Sequence, residues 1–310
     1  MPNPDLRKPN FYASGGLDRA HERRGDPAWL AERLADPRTL LVPVWRQRNL
    51  FLQVESPRAR FLRADEAGHL VEQAEGLALL GLYEETAYVA LDLTPLEAPE
   101  PGPSLTEDST FQDIRAVGPL LAHWEGALLA YARGMMYWHS RHRFCGLCGH
   151  PTESLEAGHL RRCCNPACGT PHFPRTDPAV IMLVHDGARC LMGRQAAWPA
   201  GMHSTLAGFV EPGESLEDAV AREVEEESGI RVDEVHYHSS QPWPFPSSIM
   251  LGFHARYAGG RLTVNPDELE SARWFGRDEL MNSPEDDSLR LPRKDSIARR
   301  LIEDWLAEPR

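Results

Sequence analysis

Nowhere does this chain carry an uninterrupted apolar run of about 18 residues, which sets aside a membrane-spanning helix. Its opening, MPNPDLRKPNFYASGGLDRAHERRGD, lacks the apolar core of a secretory signal, so a cytoplasmic location is the expectation. Positive charge is in short supply: 33 Lys and Arg stand against 46 Asp and Glu, a formal net charge of −13. That balance argues against non-specific binding to nucleic acid or anionic membranes, both of which need a basic surplus. An anionic substrate stays open wherever a metal supplies the positive charge. Cysteine is almost missing outside one cluster, since five of the six fall between 145 and 168. A disulfide framework would scatter them, whereas a cluster of this kind reads as metal binding in a reducing compartment. Internal repeats, low-complexity tracts and a G-x-G-x-x-G turn are absent too, and the last removes the main support for a Rossmann fold.

What is present is an ordinary soluble composition, 42% hydrophobic and 25% charged, in 310 residues, enough for two or three domains. DPAWLAERLADP (26–37) reads as a short helix, and TLLVPVW, NLFLQV and TAYVALDL read as strands. EAPEPGPSLTED (97–108) is a Pro-rich connector. A long helix is predicted over 119–140, with Leu120, Leu121, Trp124, Leu128, Tyr131 and Met135 at helical spacing as core. DPAVIMLVHDGARCLMGRQ reads as two strands around His185-Asp186-Gly187, with Cys190 a buried core thiol. SSIMLGFHARY predicts a further strand, and DSIARRLIEDWLA a C-terminal helix.

The cysteines have metal-ligand spacing. Cys145 and Cys148 form C-x2-C; after 14 residues, Cys163 and Cys168 form C-x4-C. Two knuckles so separated can close a tetrahedral thiolate site on Zn²⁺. Gly146, Gly149 and Gly169 permit the tight turns. Cys164 competes with Cys163 for the third position. Four thiolates leave no open coordination position, so such a zinc stabilises rather than catalyses.

GFVEPGESLEDAVAREVEEESGI (208–230) spends eight of its 23 positions on Asp or Glu. On a helix, Leu216, Val220 and Val224 form an apolar stripe at i, i+4, i+8. Glu223, Glu226 and Glu227 fall within about 100° of arc and overlap that stripe further along. Like charges so placed repel, and hard oxygen ligands on a rigid helix suit Mg²⁺ or Mn²⁺. Ser215 with Asp218 has the pattern of a capping box, and Gly229 that of a left-handed helix end.

Gly208, Glu214, Arg222, Glu223, Val224, Glu226, Glu227, Gly229 and Ile230 fit G-x5-E-x7-R-E-V-x-E-E-x-G-I, and here the chain closely resembles the Nudix hydrolases. SQPWPFPSS (240–248) is similar to the motif of the NADH pyrophosphatase subgroup, whose prolines make a stiff, extended loop bearing Trp243 and Phe245 as stacking surfaces. FCGLCGH, FPRTDPAVI and IARRLIEDW extend the resemblance over nearly the whole chain, and LDRAHERR with WLAERLADP resembles the subgroup's extra N-terminal domain.

The resemblance implies an α+β protein: a Nudix α/β/α sandwich with a mixed sheet at 175–310, a zinc ribbon at 141–174, and a β-rich N-terminal domain ending in a long helix at 1–140. It implies metal ligation by Glu223, Glu226 and Glu227, with the Ala207 carbonyl and Glu268, for which Glu270 is a rival. It also implies an ion pair of Arg222 with Glu214 that orients the ligands. Phe173 and Phe209 are expected to sandwich the nicotinamide. Ser240, Gln241, Pro242, Trp243, Pro244, Phe245, Pro246, Ser247 and Ser248 are expected to contact the dinucleotide, and Ala298 to line the pocket. The expected reaction is hydrolysis of the pyrophosphate of NADH, NAD⁺ or NAD-capped RNA by two or three Mg²⁺ or Mn²⁺ ions, in a homodimer. A Nudix hydrolase of ADP-ribose or dinucleoside polyphosphates is the alternative.

Overall fold

The computed structural model describes residues 8–13, 16–97 and 108–308, so the Pro-rich connector lies almost wholly outside the described residues. The chain divides into two compact units. The first is Tyr12–Thr176 with Trp243–Ser247; the second is Asp177–Pro242 with Ser248–Arg310 and the segment ending at Phe11.

In the first unit, helix α1 (Pro27–Ala35) starts at Asp26, whose carboxylate accepts from the Ala28 and Trp29 amides. Strands β1 (Leu40–Trp45) and β2 (Arg48–Leu52) form an antiparallel hairpin through Arg46 and Gln47, both at positive φ. Strands β3 (Gly76–Tyr83) and β4 (Thr86–Asp92) form a second, and β4 runs parallel to β1 with Leu40 opposite Tyr88. Leu41, Leu79, Val89 and Leu91 fill the core on one face.

Helix α2 (His123–Arg141) begins four residues later than predicted. A single 3-10 turn, Gly118–Leu120, precedes it, and Leu121 is extended between them. The start changes which residues are core: Leu128 and Met135 are buried, but Leu120 is 64% and Trp124 44% exposed. Those two were expected inside on the assumption of one unbroken helix. Three short strands follow, Thr152–Leu155, Leu160–Cys163 and Pro171–His172, paired in the order third, second, first.

The second unit is a layered α/β/α arrangement. Its mixed sheet contains β5 (Asp177–His185), β6 (Arg189–Arg194), β7 (Leu206–Phe209), β8 (Ile230–Trp243), β9 (Ser248–Gly260) and β10 (Ser271–Gly276). The order is β8-β9-β5-β6-β10, with β7 also on β5. β5 is parallel to β9 and antiparallel to β6 and β7. Successive side chains of β5 go to opposite faces. Val180, Met182 and Val184 pack with Val220 and Val224 of helix α3 (Leu216–Ser228). Ile181 and Leu183 pack with Leu301, Ile302 and Trp305 of helix α4 (Ile297–Ala307). A strand buried on both faces reads as the continuous apolar run AVIMLV.

The SQPWPFP segment departs from the extended loop expected. Ser240 to Trp243 end β8, and the chain reverses through Pro244–Ser247 into β9, with a cis Phe245–Pro246 peptide. Pro244 and Pro246 lie in this turn, where missing N–H groups cost no ladder bonds, and Pro242 lies at the end of β8.

Candidate active site

The site is set by how α3 is started and stopped. Ser215 accepts from the Asp218 amide at 3.1 Å while Asp218 accepts from the Ser215 amide at 3.3 Å, closing the capping box. Gly229 ends the helix at φ 68°, its N–H donated to Glu225. Between these ends, Val220 and Val224 face the sheet, fully buried, and pull the i, i+4 pair Glu223 and Glu227 partly under with them.

Glu223 and Glu227 are only 8% and 5% exposed, and Glu268 meets them from the segment before β10. One carboxylate oxygen from each lies within 4.8 Å of the others. Glu223 occupies the space beside Gly208, where a Cβ would overlap its carboxylate. Burial, then the charges of Glu223 and Glu268, pushes the Glu227 carboxyl up to about 8; a hydrogen bond from the Ala207 backbone opposes this. Burial raises Glu223 as well, against a hydrogen bond from Arg222. One Glu227 oxygen, Oε2, is buried without a hydrogen-bond partner. Three converging carboxylates and an orphaned buried oxygen fit a divalent cation, whose charge reverses the penalty of crowding.

Arg222 locks the cluster from one side. It donates to Glu214 through Nε at 2.5 Å and Nη2 at 2.9 Å, to the Phe209 carbonyl at 2.9 Å, and to Glu223 at 2.9 Å. The guanidinium, then the Glu211 amide, holds the Glu214 carboxyl down at about 2. Glu226 is placed differently from its neighbours: its side chain is 53% exposed and turned to Arg222 Nη1 at 2.9 Å, outside the converged group. Glu268 joins that group, whereas its rival Glu270 is engaged with Arg194 at 2.6 Å. Ala207 sits in β7 opposite Ile181, its backbone against Glu227.

The thiolate cluster lies in the first unit. Sγ atoms of Cys145, Cys148, Cys163 and Cys168 all fall within 4.8 Å of one another. Gly149 and Gly169 take positive φ, closing the two knuckles. Cys163, at the end of its strand, points its buried thiol into the group, and Cys164 is exposed. These four can hold a metal.

The expected substrate contacts fall into distinct settings. Phe173, in the first unit, is 62% exposed, and Phe209, in the second, 60%, each a free aromatic surface. Trp243 and Phe245 are half-buried, packed edge-on at 4.9 Å and each edge-on to Tyr12 at 5.9 and 5.7 Å. Gln241 is fully buried: it donates to the Phe11 and Asp295 carbonyls and accepts from the Ile297 amide at 2.8 Å, tying the start of α4 to β8. The Ser240 carbonyl accepts from Asn10 at 2.8 Å, and Ser248 is buried where β9 meets Asp177 of β5. Pro244 is buried and Pro246 exposed, with Pro242 and Ser247 between these extremes. Ala298 is 3% exposed, within the core between α4 and the sheet. Sequence reasoning passed over Arg133, which reaches the Pro244 carbonyl and the Phe245 ring. Its signal was there: it is the only Lys, Arg, Asp or Glu between Glu125 and Arg141.

Comparison with known proteins covers the same three regions. The NUDIX domain matches residues 175–299, an NADH pyrophosphatase-like rudimentary NUDIX domain 38–138, and an NADH pyrophosphatase zinc ribbon domain 140–173. Over 96% of this chain and 73% of the relative, it is 33% identical to a protein described as NAD-capped RNA hydrolase NUDT12 from Macaca fascicularis. A protein described as NAD-capped RNA hydrolase NudC, from Stutzerimonas stutzeri, is 46% identical over 69% of this chain and 73% of its own.

Proposed function

The chain belongs to the NUDIX hydrolases, and on that premise we propose that it splits the pyrophosphate of NADH into reduced nicotinamide mononucleotide and AMP. Water adds to one phosphorus and the bridging P–O bond breaks, so no redox partner is involved. NAD⁺ and the NAD cap of an RNA present the same bond and fall within the same reading, which is supported by relatives described as NAD-capped RNA hydrolases.

The observation that carries the reading is the convergence of Glu223, Glu227 and Glu268. These carboxylates would hold Mg²⁺ or Mn²⁺, with the Ala207 carbonyl as a further ligand. Divalent cations there supply neutralisation of the diphosphate and a lowered pKa for bound water. Arg222 fixes the orientation of Glu223 and is itself fixed by Glu214, so the carboxylates are arranged before substrate arrives. Glu226 would join the set if its carboxylate turned from Arg222. Phe173 and Phe209 offer faces to a flat ring, and the Trp243–Ser247 turn reads the dinucleotide.

Zn²⁺ on Cys145, Cys148, Cys163 and Cys168 would staple the ribbon without entering the chemistry. We assign an N-terminal domain to 1–140, the ribbon to 141–174 and the hydrolase to 175–310. A cytoplasmic setting rests on cysteine usage, with five of the six clustered between 145 and 168 at metal-ligand spacing instead of scattered as in a disulfide framework. A homodimer rests on the family resemblance, and sedimentation tests it. Among the described residues no helix is long and apolar enough to cross a membrane.

The deciding experiment incubates pure protein and Mn²⁺ with NADH, NAD⁺, ADP-ribose and NAD-capped RNA, with products resolved by chromatography. Mononucleotide and AMP from the nicotinamide substrates are expected. Preferential cleavage of ADP-ribose would replace this reading with the alternative.

A further inference from the structure

We propose that Arg133 is a positioning residue for substrate selection: it holds the Trp243–Ser247 turn in the shape that receives the dinucleotide. This rests on the reading of that turn as a substrate contact.

Proline fixes φ in this turn but leaves it short of donors to anchor it. Pro242, Pro244 and Pro246 have no N–H, so the segment supplies few backbone donors. Among its described backbone bonds, only Phe245 N–H to the Trp243 carbonyl, at 2.7 Å, lies inside the turn. The missing donor comes from the middle of α2. Arg133 is 7% exposed; Nη1 donates to the Pro244 carbonyl and Nε to the Gln47 carbonyl at 3.0 Å. Its guanidinium carbon lies 4.7 Å from the centroid of the Phe245 ring. One side chain therefore fixes both a carbonyl and an aromatic face of the turn.

The surroundings are built for that grip. Gly134, the next residue, faces the same turn: a Cβ there would stand 3.5 Å from the Pro244 Cβ, in ordinary contact. Tyr12 closes edge-on against both Trp243 and Phe245. Arg115 lies over Phe245 at 5.4 Å and is ion-paired to Asp113 at 2.6 Å.

Arg133 itself has no carboxylate within ion-pair distance among the described residues. Its charge is met by two carbonyls and a ring, and Asp113 exerts a favourable charge on it. Burying a guanidinium without a carboxylate is costly, and a Leu or Met would fill the helix face at lower cost. The geometry points to the turn as what that cost secures: an ordered platform needs no ordering when substrate binds.

The test is steady-state kinetics with NADH and Mn²⁺ on full-length Arg133→Met, Arg133→Lys and Trp243→Ala, with thermal unfolding alongside. Losing one charge-assisted hydrogen bond from a binding surface should raise the NADH KM about tenfold in Arg133→Met. Its kcat should stay within about twofold and its Mn²⁺ half-activation unchanged, because the loss falls on binding. Arg133→Lys, which keeps the charge but not the fork, should fall between wild type and Met, and decides the matter if Met fails to fold. An unchanged KM in either folded variant, or a fall in kcat and melting temperature with KM unmoved, overturns the proposal. If Trp243→Ala leaves KM alone, the reading of the turn as a substrate contact fails instead.

Discussion

Gly208 and Glu223 are two halves of one design: the side chain missing from the glycine is the space the carboxylate fills. Gly208 sits in β7 opposite Val180, and a Cβ on it would overlap the Glu223 carboxylate. Gly208→Ala should therefore leave the fold intact and drive Glu223 out of line with Glu227 and Glu268. A misplacement of about 1 Å at a reacting centre can cost about 100-fold. We expect at least that loss in NADH hydrolysis, with a melting temperature close to wild type. Full activity would show that Glu223 tolerates displacement.

Arg222 and Glu214 form a two-bond fork, at 2.5 and 2.9 Å, that lysine cannot reproduce. Arg222→Lys should weaken Mn²⁺ activation by about 10- to 100-fold, the usual cost of losing an orienting partner of metal ligands. Titrating activity against Mn²⁺ measures it, and an unchanged half-activation concentration would reduce the pair to surface decoration.

At the thiolate cluster the two adjacent cysteines separate cleanly. Cys163 is buried in the group and Cys164 is exposed. Cys163→Ser should lose zinc and about 3 kcal/mol or more of stability in the ribbon. Cys164→Ser should retain both. Metal analysis with thermal melts distinguishes them, and zinc loss in both variants would contradict the assignment.

Three imidazoles, His139 and His159 buried and His254 half-buried, give the protein an acid limit. Burial pulls His139, His159 and His254 down from 6.5 to about 4, and each rests on a backbone carbonyl, of Gly158, Leu79 and Leu301 respectively. Between pH 6.5 and 4 the unfolded chain binds these protons and the folded chain does not. Their contribution is therefore complete above pH 6.5 and is lost as pH falls toward 4, at most on the order of 3 kcal/mol each. The melting temperature should drop from pH 7 to pH 5. A flat profile would mean the rings are solvated.

Much of this was legible because local rules and packing agreed. The capping box at Ser215, the left-handed Gly229 and the stripe of Val220 and Val224 define α3 whatever surrounds it. The AVIMLV run declares a strand covered on both faces. Strand β8 was not visible. Ile230, Val232, Val235 and Tyr237 do not alternate cleanly, because Glu234 takes φ 46° and shifts the period. Glu226 could not be separated from Glu223 and Glu227 on a helical wheel. Its placement is a side-chain choice made by Arg222, which no periodicity encodes. Arg133 was hidden because its partners, Gln47 and Pro244, are 86 and 111 residues away. Leu120 misled because the extended Leu121 and Ala122 uncouple it from the helix that follows, and Trp124 because it sits in the first turn of that helix with its ring left exposed.

The most direct measurement is the rate of NADH cleavage by wild type and by Glu227→Gln, each with and without added Mn²⁺, with zinc content measured on both. The account predicts mononucleotide and AMP from wild type only when Mn²⁺ is present, and a loss of about 1000-fold in Glu227→Gln with zinc unchanged. Near-wild-type cleavage by Glu227→Gln, or intact NADH after prolonged exposure to Mn²⁺-loaded wild type, would contradict it.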